Sequence, residues 1–133
     1  MYVYYQFFTR NAYIRLYTRE SSFVVSAQKG VDEMQEMLES KIEIWLNSHI
    51  KKMGGRPYKF VSPGNPGVPD RIYLLPNGIV YFVELKRLAG KLSNVQIWQR
   101  KQFRRMGCNY RVIYGMEQAK KFIRELKDEV YTT

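Results

Sequence analysis

Asp70 falls in the turn "GVPDR" ahead of the apolar run "RIYLLP", and Glu84 and Lys86 stand at the tail of "IVYFVELKR". Two carboxylates brought to one point repel unless a cation neutralises them, and a hard divalent ion held by oxygen ligands is the usual occupant. Mg²⁺ is the natural choice. Such an ion keeps positions for water and a phosphate oxygen, which suits hydrolysis of a phosphodiester. Lys86, one side-chain step beyond Glu84 on the same face, can orient the attacking water and stabilise the charge that builds up. The plainer reading is an acid in a turn beside a Glu–Lys surface pair, and Glu-x-Lys alone would not outweigh it.

What decides between them is the turn that sets the register. If Asn77-Gly78 alone formed a two-residue turn, Asp70 would oppose Leu85 and the two acids would point to opposite faces of the sheet. Proline suits the first central position of a type I turn, and glycine the left-handed residue that follows, so Pro76-Asn77-Gly78 reads as a three-residue loop. Leu75 then opposes Ile79 and Asp70 opposes Glu84. In that register Asp70, Ile72, Leu74, Val80, Phe82, Glu84 and Lys86 share one face, with the charged trio at one end of it.

The surrounding elements can be read from periodicity. Met34, Leu38, Ile42, Trp45, Leu46, His49 and Met53 recur every three to four residues, which predicts an amphipathic helix from Asp32 to Met53 that Gly54-Gly55 ends. Glu39 lies about 50° from the centre of that stripe and is the acid best placed to face inward. His49 reads as a packed histidine. Three strands follow, "YKFVS", "RIYLLP" and "IVYFVELKR", the first two separated by the loop "PGNPGVP". A second helix has Ser93 as its N-cap, apolar Val95, Trp98, Phe103 and Met106, and a stop at Gly107. The strand "YRVIYG" and a last helix from about Glu117 to Val130 complete the order.

The chain has 133 residues, enough for one ordinary core and too few for two. Its formal net charge is +10, which points first to a polyanionic partner, nucleic acid before an anionic membrane. The lone Cys108 excludes an intramolecular disulfide and, with only His49 beside it, a Cys/His zinc set. It reads as an indifferent thiol. No run is long and apolar enough to span a bilayer, and no signal-peptide pattern opens the chain, so a reducing cytoplasm is expected. Residues 1–33, rich in Tyr and Phe, read as weakly alternating and strand-like up to a break at Lys29-Gly30. They are either an extra strand or arm, or an extension upstream of a start at Met34, because "KGVDEM" can be encoded by a purine-rich ribosome-binding sequence.

Glu39 ahead of "GG", Lys59 in "YKFVSPG", "GVPDR", "FVELK" and "GKLSNVQ" ending in Gln96 together resemble the VRR-NUC branch of the PD-(D/E)xK nuclease superfamily, in its stand-alone, phage-type form. The resemblance covers roughly Glu39 to Glu117. It implies an α/β, restriction-endonuclease-like core, a central mixed β-sheet flanked by helices in the order α-β-β-β-α-β-α, with the nuclease domain over residues 34–133. It also implies that Glu39, Asp70 and Glu84, with the backbone carbonyl of Leu85, bind Mg²⁺ or Mn²⁺. Lys86 would then serve the attacking water, and Gln96 would lie near the metal and the scissile phosphate. No organic cofactor is expected.

Between Lys86 and Arg111 there are eight Lys or Arg residues and no acid. Of these Arg87, Lys91, Arg100, Lys101 and Arg104 are candidate DNA contacts, the last three on the side of the second helix away from its apolar stripe. Lys59 is either an edge-strand lysine or a further phosphate contact. Tyr58, Tyr110 and Trp98 could stack on unpaired bases, although Trp98 reads as core. The function expected is that of a metal-dependent, structure-specific DNA endonuclease, Holliday-junction-resolvase-like. Cutting both strands of a branched substrate with one site per chain calls for a homodimer. The rivals are a sequence-specific restriction-type endonuclease and a noncatalytic nucleic-acid-binding module on the same fold.

Overall fold

A computed structural model describes residues 21–132, which fall into two units, one up to Leu38 and one from Glu39 onward. Helix α1 (Ser21–Lys52) passes through Lys29-Gly30, where the sequence suggested a break. One glycine inside a helix costs about 1 kcal/mol relative to alanine, which weakens a helix without ending it. A Lys29–Glu33 ion pair at 3.8 Å, four residues apart, spans the position. The strand-like reading therefore fails for residues 21–25, and the remainder of that reading lies outside the described residues. In the first unit Val25, Met34, Met37 and Leu38 are exposed, so the predicted apolar stripe is not buried at Met34 and Leu38.

In the second unit the stripe does bury: Leu46 and Met53 are in the core, with Ile42 and Trp45 packed against it, and Ile50, outside the predicted stripe, is buried with them. His49 donates from Nδ1 to the Trp45 carbonyl at 2.8 Å and packs on the indole at 3.9 Å, as a structural histidine should. Gly54, at φ +80°, ends the helix in the left-handed conformation that glycine adopts without steric cost.

The sheet has the order β1 (Arg56–Lys59), β2 (Arg71–Leu74), β3 (Val80–Lys86), β4 (Asn109–Tyr114), antiparallel except between β3 and β4. A parallel pair needs a long crossover, and α2 (Asn94–Arg105) supplies it. Helix α3 (Gly115–Thr132) closes the order α-β-β-β-α-β-α. The restriction-endonuclease-like arrangement is thus present, a mixed sheet between helices.

Leu74 pairs with Val80, Arg71 with Val83, and the Leu75 N–H donates to the Ile79 carbonyl at 2.8 Å. This is the register of the three-residue loop. The turn differs in kind from the expected type I: Asn77 (φ 64°) and Gly78 (φ 74°) are both left-handed, and Asn77 Nδ2 donates to the Val130 carbonyl at 3.3 Å. Asparagine tolerates that region better than other side-chain-bearing residues, and loop length rather than turn type sets the pairing.

The odd positions of the strands, Tyr73, Val83 and Ile113, face the apolar core built with α1 and with Phe122, Ile123 and Leu126 of α3. The even positions face α2. There Phe60, Phe82, Phe103 and Tyr110 pack with ring centroids 4.7–6.4 Å apart. The charged trio continues that second face toward the end of the sheet.

Candidate active site

Asp70 immediately precedes β2, and Glu84 and Lys86 end β3, so the pleat turns all three toward one end of the α2 face. A cleft of about 480 Å³ opens there, lined by Glu39, Asp70, Glu84, Leu85, Lys86, Arg87, Gly90, Lys91 and Gln96. The four expected metal-binding residues, the lysine and the glutamine thus border one space.

Glu84 is its innermost group, 2% exposed. Its Oε1 accepts from Gln96 Nε2 at 2.7 Å and lies 3.4 Å from Lys86 Nζ. Its Oε2 is buried without a hydrogen-bond partner. Burial, and then the nearby negative charge of Asp70, push its carboxyl up to about 7, while Lys86 pulls the other way. Asp70 Oδ2 accepts from the Leu85 N–H at 3.0 Å, and Glu39, 35% exposed, lies 3.7 Å from Arg87 Nε. Each carboxylate therefore has its own partner, and among the described residues no three His, Cys, Asp or Glu side chains are gathered tightly enough to enclose a metal ion.

The residues nonetheless suit a hard divalent cation. The donors are carboxylate oxygens and a strand-end carbonyl, the ligand type such ions take. The orphaned Glu84 Oε2 is a buried acceptor that a cation would satisfy. Glu39 has a second carboxylate oxygen beyond the one nearest Arg87.

Helix α2 holds the site together through its first turn. Ser93 accepts from the Gln96 N–H at 3.2 Å, while Gln96 Oε1 accepts from the Ser93 N–H at 2.9 Å, a reciprocal capping box. The same Gln96 side chain then uses its amide nitrogen on Glu84. The Pro/Gly loop docks here as well, with Gln99 Nε2 donating to the Pro66 carbonyl at 3.2 Å. Gly67, at φ +81°, comes so close that an added Cβ would stand 2.6 Å from Val95 Cγ1 and 3.0 Å from the Gln96 nitrogen. On the other side of the sheet an Arg71–Glu43 ion pair ties β2 to α1, one helical turn beyond Glu39. Sequence reading gave Gly67, Arg71 and Glu43 no role; the Ser-x-x-Gln spacing at 93–96 was the one visible signal.

The candidate DNA contacts separate. Arg87 and Lys91 line the cleft. Lys59 pairs with Arg71 and so shares the face turned to α1, away from the trio. Lys101 and Arg104 are exposed on α2 and do not line the cleft.

Arg100 turns inward instead of outward. Its Nε is buried, and its charge acts on Tyr110, whose hydroxyl is buried and pushed up to about 12, mainly by burial and then by Glu84. The reversal is a general one for α2: of the predicted stripe only Phe103 joins the aromatic cluster, while Val95, Trp98 and Met106 are exposed. Opposite a charged sheet end, the inward face is made by Gln96, Gln99, Arg100 and Phe103, and the apolar residues are left outside. Of the candidate stacking aromatics Tyr110 is buried, and Tyr58 and Trp98 are exposed.

No family model matches the chain. Among curated proteins it is 48% identical over 64 residues to "Putative nuclease p44" of Acyrthosiphon pisum secondary endosymbiont phage 1, a match spanning 48% of this chain and 69% of that protein. Among solved structures it is similar to one described as "VRR_NUC domain", with a TM-score of 0.62 and 29% identity over 65% of this chain and 94% of the other. Among the described residues no helix is long and apolar enough to cross a membrane.

Proposed function

The chain belongs to the VRR-NUC nucleases, and on that premise we propose that it is a metal-dependent, structure-specific DNA endonuclease acting as a homodimer on branched DNA, in the manner of a Holliday-junction resolvase. The observation that carries this reading is the cleft in which Asp70, Glu84, Lys86 and Gln96 meet, with a buried Glu84 oxygen lacking any partner. We assign the nuclease domain to residues 34–133 and its work to the cytoplasm.

Asp70 and Glu84, with Glu39 and the Leu85 carbonyl, would hold Mg²⁺ or Mn²⁺. The ion supplies, when bound, an activated water and neutralisation of charge at the phosphorus. Lys86 extends into the same cleft from Glu84's face of β3 and would hold the attacking water by a hydrogen bond and offset charge in the transition state. Gln96 holds one oxygen of Glu84 by a hydrogen bond, and the other is buried without a hydrogen-bond partner. Arg87 and Lys91 line the cleft as contacts for the phosphates flanking the cut. Lys101 and Arg104 extend the basic surface along α2.

The test is nicking of a labelled four-way DNA junction, with linear-duplex and flap controls, by wild type and Lys86→Ala in Mg²⁺, Mn²⁺ or EDTA. Metal-dependent cuts paired across the junction, reduced at least about 100-fold in Lys86→Ala, are expected. Cutting of the controls alone would retain the nuclease and discard the junction. No cutting under any condition would leave a nucleic-acid-binding module.

A further inference from the structure

The outer face of α2 carries an unburied indole. Trp98 is 56% exposed, and at 100° per residue it lies opposite Gln96 and Phe103, the residues that face the sheet. Lys101 and Arg105 fall along one side of it and Val95 and Met106 along the other, all exposed. Val95 already meets Gly67 of the Pro/Gly loop and Met106 lies about 12 Å further along the axis, so the indole is the large apolar group this face leaves uncovered beside two cations.

Charge decides which partner. The segment from Lys86 to Arg111 has no acid, and among the described residues no ion pair engages Lys91, Lys101, Arg104 or Arg105. A two-fold contact through this face would set Lys101 and Arg105 against their own copies in a chain of net charge +10. A nucleotide matches both halves of the patch: its base can lie on the indole and its phosphate on Lys101, about 4.5 Å further along the helix axis.

Position ties the patch to the candidate active site. Trp98 is two residues beyond Gln96, whose amide holds Glu84, so a strand leaving the cleft need only pass around a helix about 10–12 Å across to reach it. A base inside an intact duplex is stacked on its neighbours and cannot lie on the indole; one at a branch point or flap can.

We propose that Trp98, flanked by Lys101 and Arg105, is a stacking platform for an unpaired base on a strand that has left the cleft and passed around α2, several nucleotides from the scissile phosphate, and so a specificity-determining residue for branched over linear DNA. This rests on the nuclease reading and adds to it a substrate feature and the group that reads it.

The experiment measures dissociation constants by fluorescence anisotropy in EDTA. Wild type, Trp98→Ala and Trp98→Phe are compared on a four-way junction, a flap and a linear duplex of equal length, with sedimentation velocity on each protein. The expected result is about tenfold weaker binding of Trp98→Ala to junction and flap, unchanged binding to duplex, recovery in Trp98→Phe and no change in oligomeric state. Equal binding by all three proteins would overturn the proposal. So would a uniform loss on every substrate with a dimer falling to monomer, which would assign the face to a second copy. A wild type that binds none of the substrates would overturn the nuclease reading as well, whereas failure of the Trp98 effect alone leaves that reading standing.

Discussion

The two faces of the sheet are made by the same strands one residue out of phase, yet they are built differently. Toward α1 and α3 the odd positions meet Leu46, Ile50, Phe122 and Leu126 in a continuous apolar core. Toward α2 an aromatic cluster fills only part of the face, and the rest holds Glu84 and Lys86. One face carries stability, and the other gives some of it up for a charged site.

The contrast can be broken from either side. Leu126→Ala, at a fully buried α3 position, should cost about 2–5 kcal/mol by denaturant melts while leaving nicking per folded molecule unchanged. A loss of activity without a loss of stability would mean that the core face contributes directly to the site.

Glu84→Gln should act in the opposite sense. With its carboxyl raised to about 7 in the fold against 4.5 in a free side chain, Glu84 contributes stability fully below pH 4.5 and loses it as pH rises through 7. In EDTA the variant should therefore gain on wild type as pH rises from 5 to 8, with most of the gain complete by about pH 7. A stability difference that is flat with pH would show that Glu84 is not held against its charge.

Much of the site could be read from the chain because it depends on a hairpin. Pro76-Asn77-Gly78 gave the loop length, loop length gave the register, and register put Asp70 opposite Glu84. The Ser93 cap followed from local chemistry too. The orientation of α2 did not, because a stripe rule assumes that apolar residues seek the interior, and this helix covers a sheet end whose interior is partly ionic. Gln96 and Arg100 turn in, and Trp98 is displaced outward. Helix α1 was read too short for a related reason: Gly30 is a weak breaker, and its cost is small against a helix that packs further along. The supports from Gly67 and from Arg71–Glu43 join residues far apart in the chain, which no local pattern encodes.

The central claim is that the second face holds a divalent cation through Asp70 and Glu84. Calorimetric titration of the DNA-free protein with Mn²⁺ at pH 8, wild type against Asp70→Asn, tests it most directly. Saturable binding by wild type, weakened at least about tenfold in Asp70→Asn with the fold intact, is the predicted result. No uptake by wild type, or equal affinity in the two proteins, would contradict it.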